Sequence, residues 1–257
     1  MNQHLITKPI ALVTGGNRGL GKSTALHLAQ RGVDVILTYR SNAAEAQAVV
    51  GQIEALGGCA IALELDVGES SSFTAFAGSV KTALQHGWQR ERFDYLVNNA
   101  GVGVYAPFAE FSEAQFDTLM NVHLKGPFFL TQKLLPLLND GGRIVNISSG
   151  LTRFSLPGYS AYATMKGGIE VLTRYLAKEL GARNIAVNTI APGAIETDFG
   201  GGRLRDNAEL NGFVASQTAL GRAGLPDDIG GAISALLASD SRWVNAQRIE
   251  VSGGMFI

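Results

Sequence analysis

The chain has 257 residues, of which 46% are hydrophobic and 17% charged, and its formal net charge is −1. This composition permits one large α/β domain and excludes extensive disorder. The charge balance provides no basic face for a nucleic acid or an acidic membrane, and no apolar run is long enough for a transmembrane helix. The first residues, MNQHLITKPIALVTGG, enter a strand pattern without the apolar segment and cleavage site of a signal peptide.

Cysteine and histidine are scarce. Cys59 is the only cysteine, which excludes an internal disulfide and favours a reducing cytoplasm as the location. The four histidines are His4, His27, His86 and His123, and none lies at a metal-ligand spacing from another histidine or from Cys59. We therefore expect no metal site.

Short aliphatic or β-branched runs alternate with helix-length stretches along the chain. The predicted strands are Ile10–Thr14, Val33–Tyr39, Ala60–Leu65, Tyr95–Asn98, Arg143–Ser148, Ile185–Ile190 and Arg248–Val251. The helix-length stretches include Gly21–Gln30, Ala43–Leu56, Ser70–Gln85 and Ser160–Leu180. This alternation predicts a doubly wound, Rossmann-type α/β fold, with a seven-stranded parallel sheet between two layers of helices, in a single domain over residues 1–257.

One segment, Glu196–Gln217, lacks a clear period and contains Gly200-Gly201-Gly202. A structureless stretch of this length in a compact domain is often an active-site lid. We predict a substrate lid at residues 196–217. An ordinary surface loop with a short helix is the alternative.

A glycine-rich turn, residues 14–21, follows the first strand and opens the first helix. There the backbone can approach a phosphate, and the helix N-terminus offers free N–H donors. Residues 16–23 satisfy the P-loop pattern G-x-x-x-x-G-K-[ST]. Gly15, Gly19 and Gly21 also have the G-x-x-x-G-x-G spacing of a dinucleotide-binding turn. The turn alone does not decide between the two motifs.

The rest of the chain favours a dinucleotide. A P-loop NTPase needs a second strand that ends in a magnesium-binding aspartate. The nearest candidate, Asp66, follows a run that Glu64 interrupts, and nothing downstream resembles a sensor or switch segment. Under the dinucleotide interpretation, Lys22 is a solvated helix residue.

Tyr162 and Lys166 lie four positions apart in a helical pattern and so share one face of the helix. A lysine ammonium near a phenol stabilises the phenolate and lowers a tyrosine pKa that is ordinarily about 10. The tyrosine then becomes a usable acid or base near neutral pH. By itself this spacing is equally typical of a pair on a helix surface.

Further motifs follow in a fixed order: Asn98-Asn99-Ala100-Gly101, Asn121, Ile147-Ser148-Ser149, Pro192-Gly193 with Thr197, and Val251-Ser252-Gly253-Gly254. With the glycine turn and the Tyr162–Lys166 pair, they resemble the single-domain short-chain dehydrogenase/reductase family almost from end to end. The resemblance implies a catalytic tetrad of Asn121, Ser149, Tyr162 and Lys166. Ser149 is preferred to Ser148 because the family's serine precedes its tyrosine by 13 positions, the separation of Ser149 and Tyr162.

The resemblance also implies what each member of the tetrad does when a nicotinamide delivers hydride to a carbonyl carbon. Tyr162 gives a proton to the carbonyl oxygen, and the Ser149 hydroxyl holds the same oxygen. Lys166 lowers the pKa of Tyr162 and binds the nicotinamide ribose. Asn121 positions a water that links Lys166 to solvent, although Asn121 taken alone is better explained as a polar helix residue.

The residues after the second predicted strand indicate which cofactor is bound. The segment Leu37-Thr38-Tyr39-Arg40-Ser41-Asn42 has no carboxylate to accept bonds from the ribose of NAD. Arg40 can pair with a 2′-phosphate through its planar guanidinium, and Ser41 can add a hydrogen bond. Arg18 lies where NADP-dependent members of the resembled family often carry a second basic residue. We expect NADP(H), although each arginine alone is equally compatible with an unpaired surface residue.

The other cofactor contacts follow from the resemblance only. They comprise the glycine turn, the adenine site, the floor behind the adenosine ribose, the nicotinamide ribose and the carboxamide site: Gly15, Asn17, Arg18, Gly19, Leu20, Gly21, Asp66, Val67, Asn98, Ala100, Gly101, Tyr162, Lys166, Pro192, Gly193, Ile195 and Thr197. Asn98 has an alternative role, which is to stabilise the central sheet.

The substrate pocket is expected among residues after Gly101, after Ser149 and in the lid. Its predicted lining is mostly apolar or aromatic: Val102, Val104, Tyr105, Leu151, Phe154, Leu156, Tyr159 and Phe199. Such a lining favours an uncharged or weakly polar ketone, aldehyde or keto ester. Arg153, the only fixed charge nearby, is expected to face solvent.

Three other functions stay open. A 3-oxoacyl-[acyl-carrier-protein] reductase needs a basic docking face, and the sequence has no cluster of Lys and Arg that supplies one. A non-catalytic NADP-sensing protein can use the same fold without turnover. The third is the P-loop nucleotidase.

Apolar residues in two places indicate contacts between subunits. They are the C-terminal Met255-Phe256-Ile257 and the helix positions Val171, Leu172, Tyr175 and Leu176. The resembled proteins commonly form tetramers through these two surfaces. We therefore expect a homotetramer.

Overall fold

The computed structural model describes residues 8–257; His4 and the first part of the segment tested for a signal peptide lie outside this range. The strands are β1 (Ile10–Val13), β2 (Asp34–Tyr39), β3 (Ala60–Glu64), β4 (Phe93–Asn98), β5 (Leu138–Ile147), β6 (Ala186–Pro192) and β7 (Arg248–Val251). The helices are α1 (Gly19–Gln30), α2 (Ala43–Ala55), α3 (Phe73–Trp88), α4 (Glu113–Met120), α5 (Gly126–Leu134), α6 (Ser160–Glu179), α7 (Arg203–Asp206), α8 (Ala208–Ser216) and α9 (Pro226–Leu236).

The strands form one parallel sheet in the order β3-β2-β1-β4-β5-β6-β7. From β1 the chain builds outward to β3, then returns across the sheet to place β4 on the other side of β1. The direction of winding therefore reverses between β1 and β4. The predicted doubly wound α/β fold is confirmed.

Alternate residues of each strand face opposite helical layers, because successive side chains of a strand point to opposite faces. Ile10 and Leu12 of β1 pack in a core with α3, α5 and α6. Ala11 and Val13 pack in the second core with α1, α2 and α9. Both faces of β1 are thus buried, which explains why its sequence is wholly apolar. Within residues 8–257, no helix has the length and apolar character needed to span a bilayer.

Two elements begin differently from their predicted bounds, one strand and one helix. β5 begins at Leu138 rather than Arg143, since Leu138 pairs with Phe93 before a shift in register. Gly141 and Gly142 lie inside this irregular start. The predicted helix at Ser70 begins as a 3₁₀ turn, Ser70–Ser72, before α3 continues.

The segment between β6 and α9 is not structureless, and that part of the prediction was wrong. A 3₁₀ turn, Phe199–Gly202, leads into α7 and α8. The Asn207 side chain accepts a hydrogen bond of 2.9 Å from the Leu210 N–H and so caps α8. The small and polar residues that suggested a loop include this capping signal.

Candidate active site

The carboxyl ends of β1, β4, β5 and β6 meet at one edge of the sheet, beside the point where the winding reverses. Doubly wound sheets bind ligands in the crevice outside such a point. The glycine turn follows β1, the segment 98–101 closes β4, Ser149 follows β5, and Thr197 follows β6. The fold therefore brings motifs that are far apart in sequence to one crevice.

The glycine turn fits the phosphates of a dinucleotide. A Cβ on Gly21 would lie 2.1 Å from the Gly15 carbonyl oxygen, so only glycine lets α1 start this close to β1. Arg18, the N-cap of α1, makes no side-chain capping bond, and the first helical turn has no acidic residue. The N–H groups at this end are thus left without a capping side chain, as an anion site requires.

Thr14 and Asn99 join the glycine turn to the loop after β4. The Thr14 hydroxyl accepts hydrogen bonds from the backbone N–H groups of Asn99 (2.9 Å) and Ala100 (3.0 Å). The Asn99 amide donates to the Thr14 carbonyl oxygen at 2.8 Å. These bonds hold Ala100 and Gly101 beside the turn. The motif contained Asn99, but nothing in its spacing indicated this role.

The Asn98 side chain belongs to the sheet. Its amide donates to Asn146 Oδ1 at 2.8 Å and to Thr131 Oγ1 at 3.0 Å. Asn146 in turn donates to the Thr173 hydroxyl. The alternative role that the sequence left open, stabilisation of the central sheet, accounts for this side chain.

Tyr162 and Lys166 are both buried on the face of α6 that packs on the sheet. Lys166 Nζ donates a 2.7 Å hydrogen bond to the Ile147 carbonyl oxygen and lies 5.6 Å from the centre of the Tyr162 ring. Burial lowers the pKa of Lys166 to about 7. Burial also raises the pKa of Tyr162, and the interaction with the Ser149 hydroxyl opposes this rise only in part.

The raised pKa of Tyr162 is opposite in direction to the expectation from its spacing to Lys166. Desolvation of the phenolate outweighs the favourable interactions at this depth. Near neutral pH, Tyr162 is therefore a protonated phenol. That is the form which can donate a proton.

The two adjacent serines face different neighbours. The Ser148 hydroxyl is buried and donates to Glu170 Oε1 at 2.7 Å. The Ser149 hydroxyl accepts from the Leu151 N–H at 3.2 Å and interacts with the Tyr162 phenol. This geometry supports the choice of Ser149.

Asn121 begins a π-helical turn, Asn121–Lys125, between α4 and α5. Its carbonyl oxygen accepts a hydrogen bond from the N–H of Gly126, five residues later. Such turns inside helices are frequent at functional sites. The half-buried Asn121 side chain is thus held at a local irregularity beside α6.

His123, on the same turn, is a site residue that the sequence analysis considered only as a metal ligand. Its ring is 1% exposed and meets the Tyr162 ring edge to face, with centroids 5.1 Å apart. His123 Nε2 lies 2.7 Å from the Val102 carbonyl oxygen. Burial and the charge of Lys166 lower the pKa of His123 well below its usual value, so the imidazole is neutral. No motif signals it, because its neighbours are distant in sequence.

Residues after β6 lie directly on the site. The Thr197 methyl lies 3.7 Å from where a Cβ on Gly19 would be. The Phe199 ring packs on the Tyr162 ring, with centroids 5.6 Å apart. The Arg203 guanidinium lies 5.3 Å from the centre of the Tyr105 ring. Residues 200–202 between them all have positive φ, of 63°, 78° and 76°, a conformation that glycine adopts without strain.

Comparison with known proteins places this site in a family. The family described as enoyl-(acyl carrier protein) reductase matches residues 15–256. An uncharacterized oxidoreductase of Methylorubrum extorquens is 37% identical, over 96% of this chain and 97% of its own length. The chain belongs to the short-chain dehydrogenase/reductase family. A second relative, hydroxynaphthalene reductase-like protein Arp2 of Metarhizium brunneum, is 36% identical over 95% of this chain and 94% of its own length.

Solved structures of short-chain dehydrogenases/reductases share the whole fold. The promiscuous reductase LugOII, which catalyses keto-reduction at C1 during lugdunomycin biosynthesis, has a TM-score of 0.93 and 35% identity, over 98% of this chain and 99% of its own. The landomycin C-6 ketoreductase LanV with bound NADP and rabelomycin has a TM-score of 0.89 and 32% identity, over 98% and 97%. Family membership decides the ambiguity of the glycine turn in favour of a dinucleotide-binding oxidoreductase.

The residues expected to select the cofactor lie around the ends of β1 and β2. Arg40 and Ser41 are exposed immediately after β2. Arg18 lies 4.0 Å from the Asp198 carboxylate. Asn17 donates to Glu45 at 2.9 Å. Among these four residues, Arg40 and Ser41 are the most freely placed to meet a ligand phosphate.

The other predicted cofactor residues also follow strand ends. After β3, the Asp66 carboxylate accepts from the Gly68 N–H at 2.8 Å, and Val67 is buried. After β6, the Gly193 N–H donates to the Val251 carbonyl oxygen at 3.1 Å. Pro192 is the last residue of β6, and Ile195 forms an isolated bridge with Gly224.

The predicted lining residues of the substrate pocket do not all surround one cavity. Leu151, Leu156 and Tyr159 line a cavity of about 350 Å³ together with Pro107 and Phe108. Phe154 and Arg153 lie elsewhere. The Phe154 ring packs on Phe256, 4.8 Å between centroids.

Arg153 is exposed, as expected, but it is also paired within the chain. It pairs with Glu250 at 2.6 Å and donates to the Met255 carbonyl oxygen at 2.7 Å. These partners come from the other end of the chain, and for this reason the local sequence gave no sign of them.

Proposed function

We propose that the chain is an NADPH-dependent ketoreductase, which reduces the carbonyl group of an uncharged, largely planar ketone to an alcohol. One observation carries the proposal: buried Tyr162 and Lys166 and half-buried Ser149 converge at the crevice that the uncapped N-terminus of α1 also faces. Relatives point the same way, since LanV is a ketoreductase with bound NADP and LugOII catalyses a keto-reduction.

The chain's own groups account for the proton side of this reduction. Bound NADPH would supply hydride to the carbonyl carbon. Tyr162, held as a neutral phenol, donates its proton to the carbonyl oxygen, while the Ser149 hydroxyl stabilises the charge that develops there. Lys166, with a pKa of about 7, can take up and release a proton near neutral pH and so return one to Tyr162. Asn121, on the turn that packs beside α6, would hold a water between Lys166 and solvent.

The aromatic character of the site supports a planar substrate. Phe199 packs on Tyr162, and Tyr105 meets Tyr159 edge to face at 5.4 Å. Stacking on each such ring contributes about 0.5–1.5 kcal/mol to the free energy of binding, beyond the contribution of buried area. A ring-fused ketone gains from these surfaces more than a short aliphatic one does.

Charge near the lid argues against an acyl carrier protein as the partner. Arg205 pairs with Asp198 and Asp206, and Arg222 pairs with Asp228. Both arginines are thus paired with carboxylates, whereas Arg203 of the same segment lies over the Tyr105 ring. A docking face for an acidic carrier would present unpaired basic groups.

We further propose that the enzyme is a homotetramer and that α5 and α6 form one of its interfaces. Their exposed faces carry four large apolar residues, Phe128, Phe129, Val171 and Tyr175. The expected contact of Met255 with a neighbouring subunit was wrong, because Met255 is 2% exposed and so buried within its own chain. Of the three C-terminal residues, only Ile257 is largely exposed, at 93%.

Turnover decides the proposal. NADPH consumption is followed by absorbance with bicyclic aromatic ketones, aliphatic ketones and a 3-oxoacyl thioester of acyl carrier protein. We expect the bicyclic ketones to have the highest kcat/KM, and Tyr162→Phe to reduce it by about 10³-fold while the Kd for NADPH changes by less than about threefold. The control Tyr175→Phe, on the exposed face of the same helix, should leave kcat/KM unchanged.

Two results would overturn the proposal. A flat absorbance trace with every carbonyl, together with tight NADPH binding, would indicate a non-catalytic NADP-sensing protein. A strong preference for the thioester would indicate the acyl-carrier-protein reductase.

A further inference from the structure

A row of charged side chains runs behind the loop that carries Ser149. Glu170 lies one helical turn beyond Lys166, so Tyr162, Lys166 and Glu170 share one face of α6. Glu170 Oε1 accepts hydrogen bonds from the Ser148 hydroxyl at 2.7 Å and from Arg248 Nε at 2.8 Å. The tetrad described above does not use Glu170.

The Glu170 carboxylate also reaches the other side of Ser149. The Thr152 hydroxyl lies 2.7 Å from Glu170 Oε1 and 2.9 Å from the Ser149 carbonyl oxygen, so its single proton is shared between two acceptors. Arg248 Nη2 donates to the same carbonyl oxygen at 3.4 Å and to the Thr152 hydroxyl at 3.2 Å. Glu170 thus contacts the residue before Ser149 and the 3₁₀ turn after it.

The row continues to the C-terminus. Arg248 Nη1 donates to Glu250 at 2.9 Å, and Arg153 pairs with the other oxygen of Glu250 at 2.6 Å. The hydrogen bonds from Arg153 lower the pKa of Glu250 to about 2. Arg153 also donates to the Met255 and Phe256 carbonyl oxygens. We call Glu170, Arg248, Glu250 and Arg153 the charged ladder.

The ladder is better placed to fix geometry than an ordinary surface pair. The side chains of Glu170, Arg248 and Glu250 are only 15%, 25% and 18% exposed. Hydrogen bonds to ionised groups are shorter and about twice as strong as neutral ones. Ser149, by contrast, lies in a loop. From within that loop, its hydroxyl accepts only one backbone hydrogen bond, of 3.2 Å from the Leu151 N–H.

We propose that Glu170 is a positioning residue for the reduction: through Ser148, Thr152 and Arg248 it sets the distance between the Ser149 hydroxyl and the Tyr162 phenol. The inference rests on the proposed ketoreductase function. Tyr162 and Glu170 are on one rigid helix, and Ser149 is on the loop after β5. The Glu170 carboxylate therefore connects the two halves of the proton-transfer site, in addition to the bond from Lys166 Nζ to the Ile147 carbonyl oxygen.

Loss of the negative charge of Glu170 should displace Ser149 but leave the other residues of the site in place. Glu170→Gln keeps the shape of the side chain but removes its ion pair with Arg248 and weakens the bonds from both hydroxyls. A displacement of about 1 Å in a catalytic group can cost about 10²-fold in rate. We expect kcat to fall by about 10- to 50-fold, with KM and the Kd for NADPH within about twofold of wild type.

A double-mutant cycle separates positioning from general damage. In a Ser149→Ala background, Glu170→Gln should lower kcat by less than about twofold, because the group that it positions is already absent. A merely structural role would cost the same factor in both backgrounds. Glu179→Gln, an exposed carboxylate at the end of the same helix, is the matched control and should leave kcat unchanged.

Crystal structures of wild type and Glu170→Gln supply a readout that needs no turnover. We expect the Ser149 hydroxyl to move by about 1 Å relative to Tyr162, with α6 unchanged. If Glu170→Gln does not fold, Thr152→Val removes one of the same bonds and should give a smaller effect of the same kind.

The inference is overturned by an unmoved Ser149 or by equal losses of kcat in the two backgrounds. Should wild type reduce no carbonyl at all, the proposed function fails. The position of Ser149 in the crystals still decides the role of Glu170 in that case.

Discussion

The Phe199 ring covers the Tyr162 ring, with 5.6 Å between their centroids. The two residues are separated in the chain by the rest of α6 and by β6. The Phe199 ring also lies against the backbone of Gly103, where a Cβ would be 2.9 Å from the ring. We therefore expect a substrate that approaches the Tyr162 phenol to pack against Phe199 or to displace it. The three glycines that follow allow such a movement.

Phe199→Ala should weaken binding of planar ketones selectively. Stacking on one aromatic ring contributes about 0.5–1.5 kcal/mol, so we expect KM for a bicyclic ketone to rise by about 2- to 12-fold and kcat to change by less than about threefold. Steady-state kinetics with a bicyclic and a short aliphatic ketone measure this. Phe116→Ala, with 41% exposure against 43% for Phe199, is the control. Equal increases in KM for both ketones would contradict the prediction.

Lys166→Met should make the fold more resistant to heat, and more so at low pH. The pKa of Lys166 is about 7 in the folded chain, against an ordinary value of 10.5. Between these pH values the unfolded state binds more protons, so stability rises with pH there. Below pH 7 the folded chain buries a charged ammonium, and the desolvation cost is present in full.

The replacement removes that cost, so the gain in Tm over wild type should be several degrees larger at pH 6 than at pH 10.5. Thermal melts at the two pH values test it. Lys178→Met, on the exposed face of α6, should give no such difference. A gain that is the same at both pH values would argue against a buried, neutralised lysine.

Arg40→Ala should weaken NADPH and spare NADH. Hydrogen bonds to charged groups contribute about 1.5–3 kcal/mol, and we expect the Kd for NADPH to rise by about 10- to 100-fold. The Kd for NADH should stay within about twofold, since it lacks the 2′-phosphate. Fluorescence titration measures both constants. Arg92→Ala, at the opposite end of the sheet just before β4, is the control, and parallel losses for both cofactors would refute the assignment of Arg40.

Tyr175→Glu should break the proposed tetramer. Tyr175 is 65% exposed on α6, and a carboxylate there would be buried without a partner if two such helices pack together. Sedimentation velocity should show dimers or monomers in place of tetramers. Leu56→Glu, after α2 on the opposite helical layer, should leave the tetramer intact. A monomeric wild type would contradict the proposal outright.

Local patterns were sufficient to predict the fold and to indicate the candidate residues of the site. Strands such as β1 are recognisable because burial on both faces demands apolar residues at every position. The glycine turn is recognisable because the chain must pass within 2.1 Å of where a side chain on Gly21 would be. The four-residue spacing of Tyr162 and Lys166 follows directly from helical geometry. In each case the physical requirement lies within a few residues.

Other features were missed or wrongly predicted where distant contacts decide. Arg153 is exposed as expected, but its ion pair with Glu250, 97 positions away, was not predicted. Met255 was assigned to a subunit interface, but it is buried in its own chain. β5 starts five residues earlier than expected because it pairs with Phe93. None of these partners is visible from the neighbouring sequence.

The sequence by itself determined the order of strands and helices, the glycine turn and the set of polar residues available for chemistry, because these depend on local periodicity and spacing. Only the tertiary structure decided that Tyr162 is a buried neutral phenol, that His123 packs against it and that Glu170 accepts hydrogen bonds from Ser148 and Thr152, on the two sides of Ser149. Desolvation and hydrogen bonding between distant segments set these properties, and both exist only once the chain has folded.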